Sequence, residues 1–180
     1  PKIGIRPKDY DAILEAKVHL VELHDMGGKI EDITASFCRL NWDLHKNEPS
    51  KYPMYRDLVG NSPDCQDALI FVNFQQIVKR VRSYDREYNT NVLDLTAAVF
   101  HESRCGSTLT ANLLASWRPA EHRVYSESTP PLQALNQVCG EDYDLCDLET
   151  AAGVLQDVVY LMSRSDDEKE KRVFFKIQSA

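Results

Sequence analysis

The sequence of 180 residues lacks any uninterrupted apolar stretch near the roughly 20 residues that a membrane-spanning helix requires. Its first eight residues, Pro-Lys-Ile-Gly-Ile-Arg-Pro-Lys, are followed by no apolar core, so we expect no signal peptide there. Hydrophobic residues make up 43% and charged residues 27% of the chain, which is typical of a folded globular protein and excludes a mainly disordered one. The length suits one ordinary domain, or one and a half small ones.

An excess of positive charge is also lacking. The net charge is −7 and the isoelectric point is about 5.2. Binding to a nucleic-acid backbone needs a basic surface, so we expect no nucleic-acid partner. An anionic ligand would have to be held by a local group of cations and N–H donors.

The cysteines show no Cys-x-x-Cys pair, and their number, five, is odd. Neither zinc nor a disulfide framework is favoured by this pattern. We therefore expect free thiols, a reducing compartment and a cytoplasmic location. His19, His24 and His45 lack an accompanying set of carboxylates or cysteines, so we interpret them as surface or packing residues and expect no metal site.

The first half of the chain carries no chemical motif. Apolar residues recur at helical spacing over residues 9–24, 30–46 and 66–84, which predicts three helices. A polar stretch around residue 90 then suggests a subdomain boundary. We therefore predict a mainly helical N-terminal region over residues 1–91.

Strands and helices alternate over residues 92–180. This order predicts an α/β fold with a parallel sheet and right-handed crossovers. The predicted strands cover residues 95–100, 122–126 and 173–178, and the predicted helices cover residues 107–117, 130–138 and 150–163. In the first of these helices, Leu109, Leu113, Leu114 and Trp117 are expected to point inward. The chain begins without a methionine and stops just after an apolar strand, so we expect it to be the N-terminal part of a longer protein.

A polar turn between the first of these strands and its helix is the most informative segment. Residues 99–109 read Val-Phe-His-Glu-Ser-Arg-Cys-Gly-Ser-Thr-Leu. Gly106, the hydroxyl side chains of Ser107 and Thr108, and the start of the following helix form the usual layout of a phosphate-binding loop. The lysine of ATP-hydrolysing P-loops is missing, which suggests another donor. The predicted ligand-binding residues are Arg104, Cys105, Gly106, Ser107, Thr108 and Leu109.

This turn resembles the phosphosulfate loop of the P-loop sulfotransferases. The end of the second strand, Ser126-Glu127-Ser128-Thr129-Pro130, and the end of the third, Lys176-Ile177-Gln178, add to the resemblance. The resemblance covers residues 95–180 and implies 3′-phosphoadenosine 5′-phosphosulfate as co-substrate, without a metal. It implies transfer of the sulfuryl group to a hydroxyl or amine of a small molecule or glycan. Charge then develops on the departing phosphate, where preorganised donors are most effective.

The resemblance assigns Arg104 to stabilising the leaving group and Lys176 to stabilising charge. Many cytosolic members have a histidine as general base where this chain has Gln178, so Glu127 becomes the candidate base. His101 and Glu102 are alternatives. The family's arginine and serine that hold the 3′-phosphate have no counterpart in this sequence.

Other interpretations stay open. Arg104 could be a surface residue, Glu127 a carboxylate that stabilises a helix N-terminus, and Cys105 a reactive thiol or merely a small residue in a turn. A small-molecule kinase is a second candidate function, although the P-loop lysine and a magnesium-binding aspartate are not seen. A non-catalytic interaction domain with a degenerate phosphate site is a third.

Overall fold

A computed structural model describes residues 6–24, 29–102, 105–140 and 146–178. Its first half contains α1 (Pro7–Leu14), β1 (His19–His24), a 3-10 turn (Ile30–Asp32), β2 (Thr34–Cys38), α2 (Trp42–Asn47), α3 (Tyr55–Gly60), α4 (Pro63–Asp67), β3 (Ile70–Asn73) and α5 (Phe74–Tyr88). Its second half contains β4 (Asn91–Val92), β5 (Asp94–His101), α6 (Ser107–Trp117), β6 (His122–Ser126), α7 (Thr129–Cys139), α8 (Leu148–Ser163), β7 (Arg164–Ser165) and β8 (Arg172–Gln178).

The predicted α/β class is confirmed. The strands of the second half form a three-stranded parallel sheet in the order β5-β8-β6. The predicted strands and helices of this half all form, within a few residues of their expected bounds. The central position of β8 brings the carboxyl ends of β5 and β6 to either side of Lys176 and Ile177.

The first half is less helical than the sequence predicts. The predicted helix over 9–24 ends at Leu14, and β1 follows it, after Ala16 adopts a left-handed φ of 56° that stops the helix. The predicted helix over 30–46 is replaced by the 3-10 turn, by β2, which pairs antiparallel with β1 and β3, and by the short helix α2. The third predicted helix is split by β3. Short apolar runs satisfy both helical and strand patterns, so their pairing partners decided the outcome.

The larger of two buried clusters joins the two halves. It includes Ile13, Phe37 and Val81 from the first half and Val158 and Phe175 from the second. The subdomain boundary at residue 91 stays a prediction, made from the composition of the sequence alone.

The packing of α6 corrects another expectation. Ala111 and Ala115 face β6 and β8, and Leu114 is only partly buried against them. The other residues expected inward, Leu109, Leu113 and Trp117, are 61–68% exposed. Small alanines allow the helix to approach the sheet closely, which turns the larger side chains outward. The neighbouring edge strand β5 is also exposed along most of its length.

Two disulfides overturn the expectation of free thiols. Cys38 at the end of β2 is bonded to Cys65 in α4, and Cys139 at the end of α7 is bonded to Cys146. Cys105 is exposed and belongs to neither pair. The odd count was misleading because a single unpaired cysteine accounts for it. Among the described residues, no helix has both the length and the apolarity that crossing a bilayer needs.

Candidate functional site at the carboxyl edge of the parallel sheet

The candidate site lies where the three parallel strands end. In such sheets, ligands bind in the crevice beyond the carboxyl ends of the strands. His101 closes β5, Ser126 closes β6, and Lys176 lies near the end of β8 between them. Helix α6 begins close by, and its Thr108 reaches the same edge.

An ion pair forms the centre of this edge. The Nζ atom of Lys176 lies 2.5 Å from Oε1 of Glu127, and it also donates to Oγ1 of Thr108 over 3.2 Å. The Lys176 side chain is 2% exposed and that of Glu127 is 16% exposed. The lysine charge is thus held against the first turn of α6, while the carboxylate keeps access to solvent.

Two further side chains face the Glu127 carboxylate. Nε2 of His101 lies 3.5 Å from Oε1, and Nη1 of Arg56 lies 3.9 Å from Oε2. The backbone carbonyl of Glu102 accepts a hydrogen bond from Nδ1 of His101 over 3.0 Å, which orients Nε2 toward the carboxylate. The Glu102 side chain itself is exposed. Sequence reasoning missed Arg56, because it lies on α3, about 70 positions away in the chain and outside any motif.

The backbone of Glu127 adopts a conformation that non-glycine residues rarely occupy. Its φ is 53°, in the left-handed region, and its N–H donates to the carbonyl of Lys176 over 2.8 Å. Such a conformation costs on the order of 1 kcal/mol and is concentrated at functional sites. The turn holds the Glu127 side chain over the end of the neighbouring strand β8.

Of the turn predicted to be a phosphate loop, the structure describes the residues from Cys105 onward. Gly106 has a φ of 84° and precedes α6, and a Cβ placed there would meet no atom within 4 Å. Glycine is therefore favoured at this position because it adopts a positive φ without strain, and not because a larger side chain would clash. Ser107 and Thr108 are half-buried in the first turn, whereas Cys105 is exposed. Arg104, the predicted leaving-group residue, lies outside the described residues, as does Ser103.

Leu109 is a less suitable ligand than the sequence suggests. Its N–H already donates to the carbonyl of Gly106 over 3.0 Å, and its side chain is 65% exposed. An anion at this helix start would therefore meet the N–H groups that precede Leu109 and the hydroxyls of Ser107 and Thr108.

The arrangement combines a proton acceptor, a buried cation and a helix start at one sheet edge. These are the groups that a transfer reaction to a nucleophile requires when negative charge develops on a leaving group. The described residues hold no cluster of three or more histidine, cysteine, aspartate or glutamate side chains suited to a metal ion. Comparison with protein-family models, curated proteins and solved structures finds no match to this chain.

Proposed function

We propose that this chain carries the donor-binding and catalytic edge of a P-loop sulfotransferase that uses 3′-phosphoadenosine 5′-phosphosulfate. The observation that carries the proposal is the direct contact of Lys176 with both Glu127 and Thr108. This contact links the candidate base, the candidate charge-stabilising residue and the phosphate loop at a single point.

In the proposed reaction, the acceptor hydroxyl or amine attacks sulfur. The bond between sulfur and the bridging phosphate oxygen breaks, and its electron pair remains on the phosphate. The acceptor proton passes to an oxygen of Glu127. Lys176, and Arg104 by its position in the loop motif, would stabilise the charge on the departing oxygen.

The Lys176–Glu127 pair suggests how the donor activates the base. In the free protein, the Glu127 oxygen nearest to Lys176 is occupied by the ammonium at 2.5 Å. A sulfuryl or phosphate oxygen beside Thr108 would compete for the same ammonium. Glu127 would then be released to accept the acceptor proton, so that base activation follows donor binding.

Donor binding separates this proposal from its alternatives. We expect calorimetry to show binding of 3′-phosphoadenosine 5′-phosphate without magnesium, and binding about tenfold weaker in Lys176→Met, because one charged hydrogen bond to the anion is lost. Lys171→Met, which removes an exposed lysine near the start of β8, is the matched control and should bind normally.

Two other results would redirect the assignment. Tighter binding of ATP that depends on magnesium would replace the proposal with the kinase. Absence of binding to either nucleotide would favour a non-catalytic interaction domain.

The disulfides bear on the compartment. Disulfides persist in oxidising environments and are rare in the cytosol. We therefore propose that this chain folds in an oxidising compartment, and this replaces the cytoplasmic location expected from the sequence. Protein purified from its native source under alkylating, non-reducing conditions should keep four of its five cysteines unlabelled. Labelling of all five cysteines would instead support a reducing compartment, as first expected from the sequence.

A further inference from the structure

The two edges of the parallel sheet differ in how they are covered. All five residues of β6, which forms one edge, are buried. The other edge strand, β5, is exposed at six of its eight residues, and no strand among the described residues pairs with its outer side. An unpaired edge leaves a row of backbone N–H and C=O groups open to another strand.

The sequence of β5 does little to protect this edge. Residues 95–100 read Leu-Thr-Ala-Ala-Val-Phe, without a charged residue or a proline. Charges, prolines and bulges are the devices that usually keep an edge strand from pairing. A bulge does occur at Thr96, but residues 97–101 beyond it pair regularly with β8. This strand is therefore suited to pairing with a further strand.

The bulge determines which side chains of β5 share a face. Three of them lie opposite alternate residues of β8 and therefore point to the same face of the sheet: Leu95 opposite Val173, Ala98 opposite Phe175 and Phe100 opposite Ile177. Leu95 and Phe100, at the ends of this row, are 54% and 73% exposed, and a small alanine lies at its centre. The row thus has the same order of sizes in both directions.

An apolar groove lies on this face beside one end of the row. Its volume is about 430 Å³, and Leu95 forms part of its wall. The rest of the lining includes Val92 and, from α8, Leu155, Val159 and Tyr160. An exposed aromatic side chain at one end of β5 and an apolar groove at the other form a self-complementary surface, because a two-fold axis brings each to the other.

We propose that β5 pairs antiparallel with β5 of a second copy of this chain, about a two-fold axis at Ala98. Ala98 then lies opposite Ala98, and Phe100 of each copy lies opposite Leu95 of the other, beside the groove. The two three-stranded sheets join into one sheet of six strands. This dimer is independent of the proposed transferase activity.

The charges of the chain are compatible with this arrangement. With a net charge of −7, two copies repel each other unless the surfaces that meet are free of carboxylates. Residues 95–100 carry none. The acidic residue of β5, Asp94, lies opposite His101 of the other copy in this register, when the bulge is counted as one position. Each copy therefore brings a carboxylate to the edge of the other copy's candidate site.

Mass measurements test the proposal. Light scattering at micromolar concentration should give twice the 20.6 kDa of a single chain. Ala98→Lys places two lysines opposite each other across the axis, and we expect at least about a 100-fold weaker dimer, because like charges directly opposite are unfavourable. Leu113→Lys is the matched control, since Leu113 is 61% exposed but lies on α6, over the other face of the sheet, and this variant should remain dimeric.

Mixing variants tests the position of the axis. Ala98→Glu should be monomeric like Ala98→Lys, whereas an equal mixture of the two should recover the mass of a dimer, because residue 98 of one copy faces residue 98 of the other. If these variants fail to fold, a mixture of Leu95→Glu and Phe100→Lys provides the same test at exposed positions. Wild-type protein that is monomeric at every concentration would overturn the proposal, as would equal masses for Ala98→Lys and Leu113→Lys.

Discussion

Two ion pairs involve the neighbouring strands β6 and β8, and they differ in how completely their charges are enclosed. In the first, Arg123 on β6 meets Glu170, and the two side chains are 2% and 0% exposed. In the second, Lys176 on β8 meets Glu127, which follows β6, and the exposed fractions are 2% and 16%. We refer to them as the enclosed pair and the edge pair.

The partners of each carboxylate explain the difference. Glu170 receives Arg123, Lys46 at 2.7 Å and the hydroxyl of Ser165 at 2.6 Å, and these contacts link α2, β6 and β7. Glu127 receives Lys176 closely, but His101 and Arg56 lie at 3.5 and 3.9 Å. Bonds that are short on every side stabilise a fold, whereas loosely held partners leave a carboxylate able to exchange them. We therefore assign the enclosed pair to the structure, and the edge pair is the one that the proposed reaction uses.

The largest effect is expected from breaking the enclosed pair. Glu170→Gln removes the charge that compensates Arg123 and Lys46, and leaving a buried charge without its partner costs about 3–5 kcal/mol. Urea denaturation should show this loss as a lower midpoint with an unchanged slope. Glu168→Gln, an exposed carboxylate two residues earlier, is the matched control and should change stability by less than about 0.5 kcal/mol. Equal midpoints for the two variants would contradict the structural role of Glu170.

Acid should weaken the enclosed pair gradually. Burial alone would raise the pKa of Glu170, but Arg123 and hydrogen bonds from Lys46 and Ser165 outweigh it and lower that pKa below the ordinary 4.5. A lowered pKa in the folded state means that the stabilisation is complete above the unfolded pKa of about 4.5 and is lost as pH falls through the folded value. The stability difference between wild type and Glu170→Gln should therefore shrink below about pH 4.5. A difference that is constant down to pH 3 would contradict this linkage.

The edge pair should affect stability less and chemistry more. Glu127→Gln removes the charge that compensates Lys176, but Thr108 still accepts a hydrogen bond from the ammonium, and solvent that reaches Glu127 screens this pair more than the enclosed one. We therefore expect a smaller loss, of about 1–2 kcal/mol. Sulfuryl transfer, measured with radiolabelled donor, should fall at least about 100-fold, while binding of 3′-phosphoadenosine 5′-phosphate persists. Normal transfer by this variant would exclude Glu127 as the base but would leave donor binding as a separate question.

The residues of the edge pair were expected at one site from the sequence, whereas those of the enclosed pair were not. Glu127 and Thr108 were predicted because they directly follow a strand and begin a helix, and Lys176 because it lies near the end of the last strand. Topology alone brings such positions to one edge, although the contacts between them were not predicted. The enclosed pair was not predicted, because Glu170 lies in a charged stretch that we interpreted as a solvated linker. A run of charges does not indicate which of its members folds inward against a strand 40 or more positions away.

The same distinction applies to the fold. The strands of the parallel sheet were predicted because helices of clear period separate them. In the first half, β1 and β2 were interpreted as helices, because Leu20, Val21 and Leu23 fit either pattern and their antiparallel partners are not visible in the local sequence. The disulfide between Cys38 and Cys65, which fastens the end of β2 to α4, is likewise not visible in the local sequence.

The smallest effect concerns the backbone that holds the edge pair. Glu127→Gly and Glu127→Ala both remove the carboxylate, but only glycine adopts the φ of 53° without strain. Glu127→Gly should therefore be more stable than Glu127→Ala, by about 1 kcal/mol after the extra entropy of the unfolded glycine chain is included. Urea denaturation of the two variants measures the difference directly, because the lost ion pair cancels. If alanine proves equally stable or more stable, the turn is not strained, and the position of Glu127 over β8 depends on the ion pair alone.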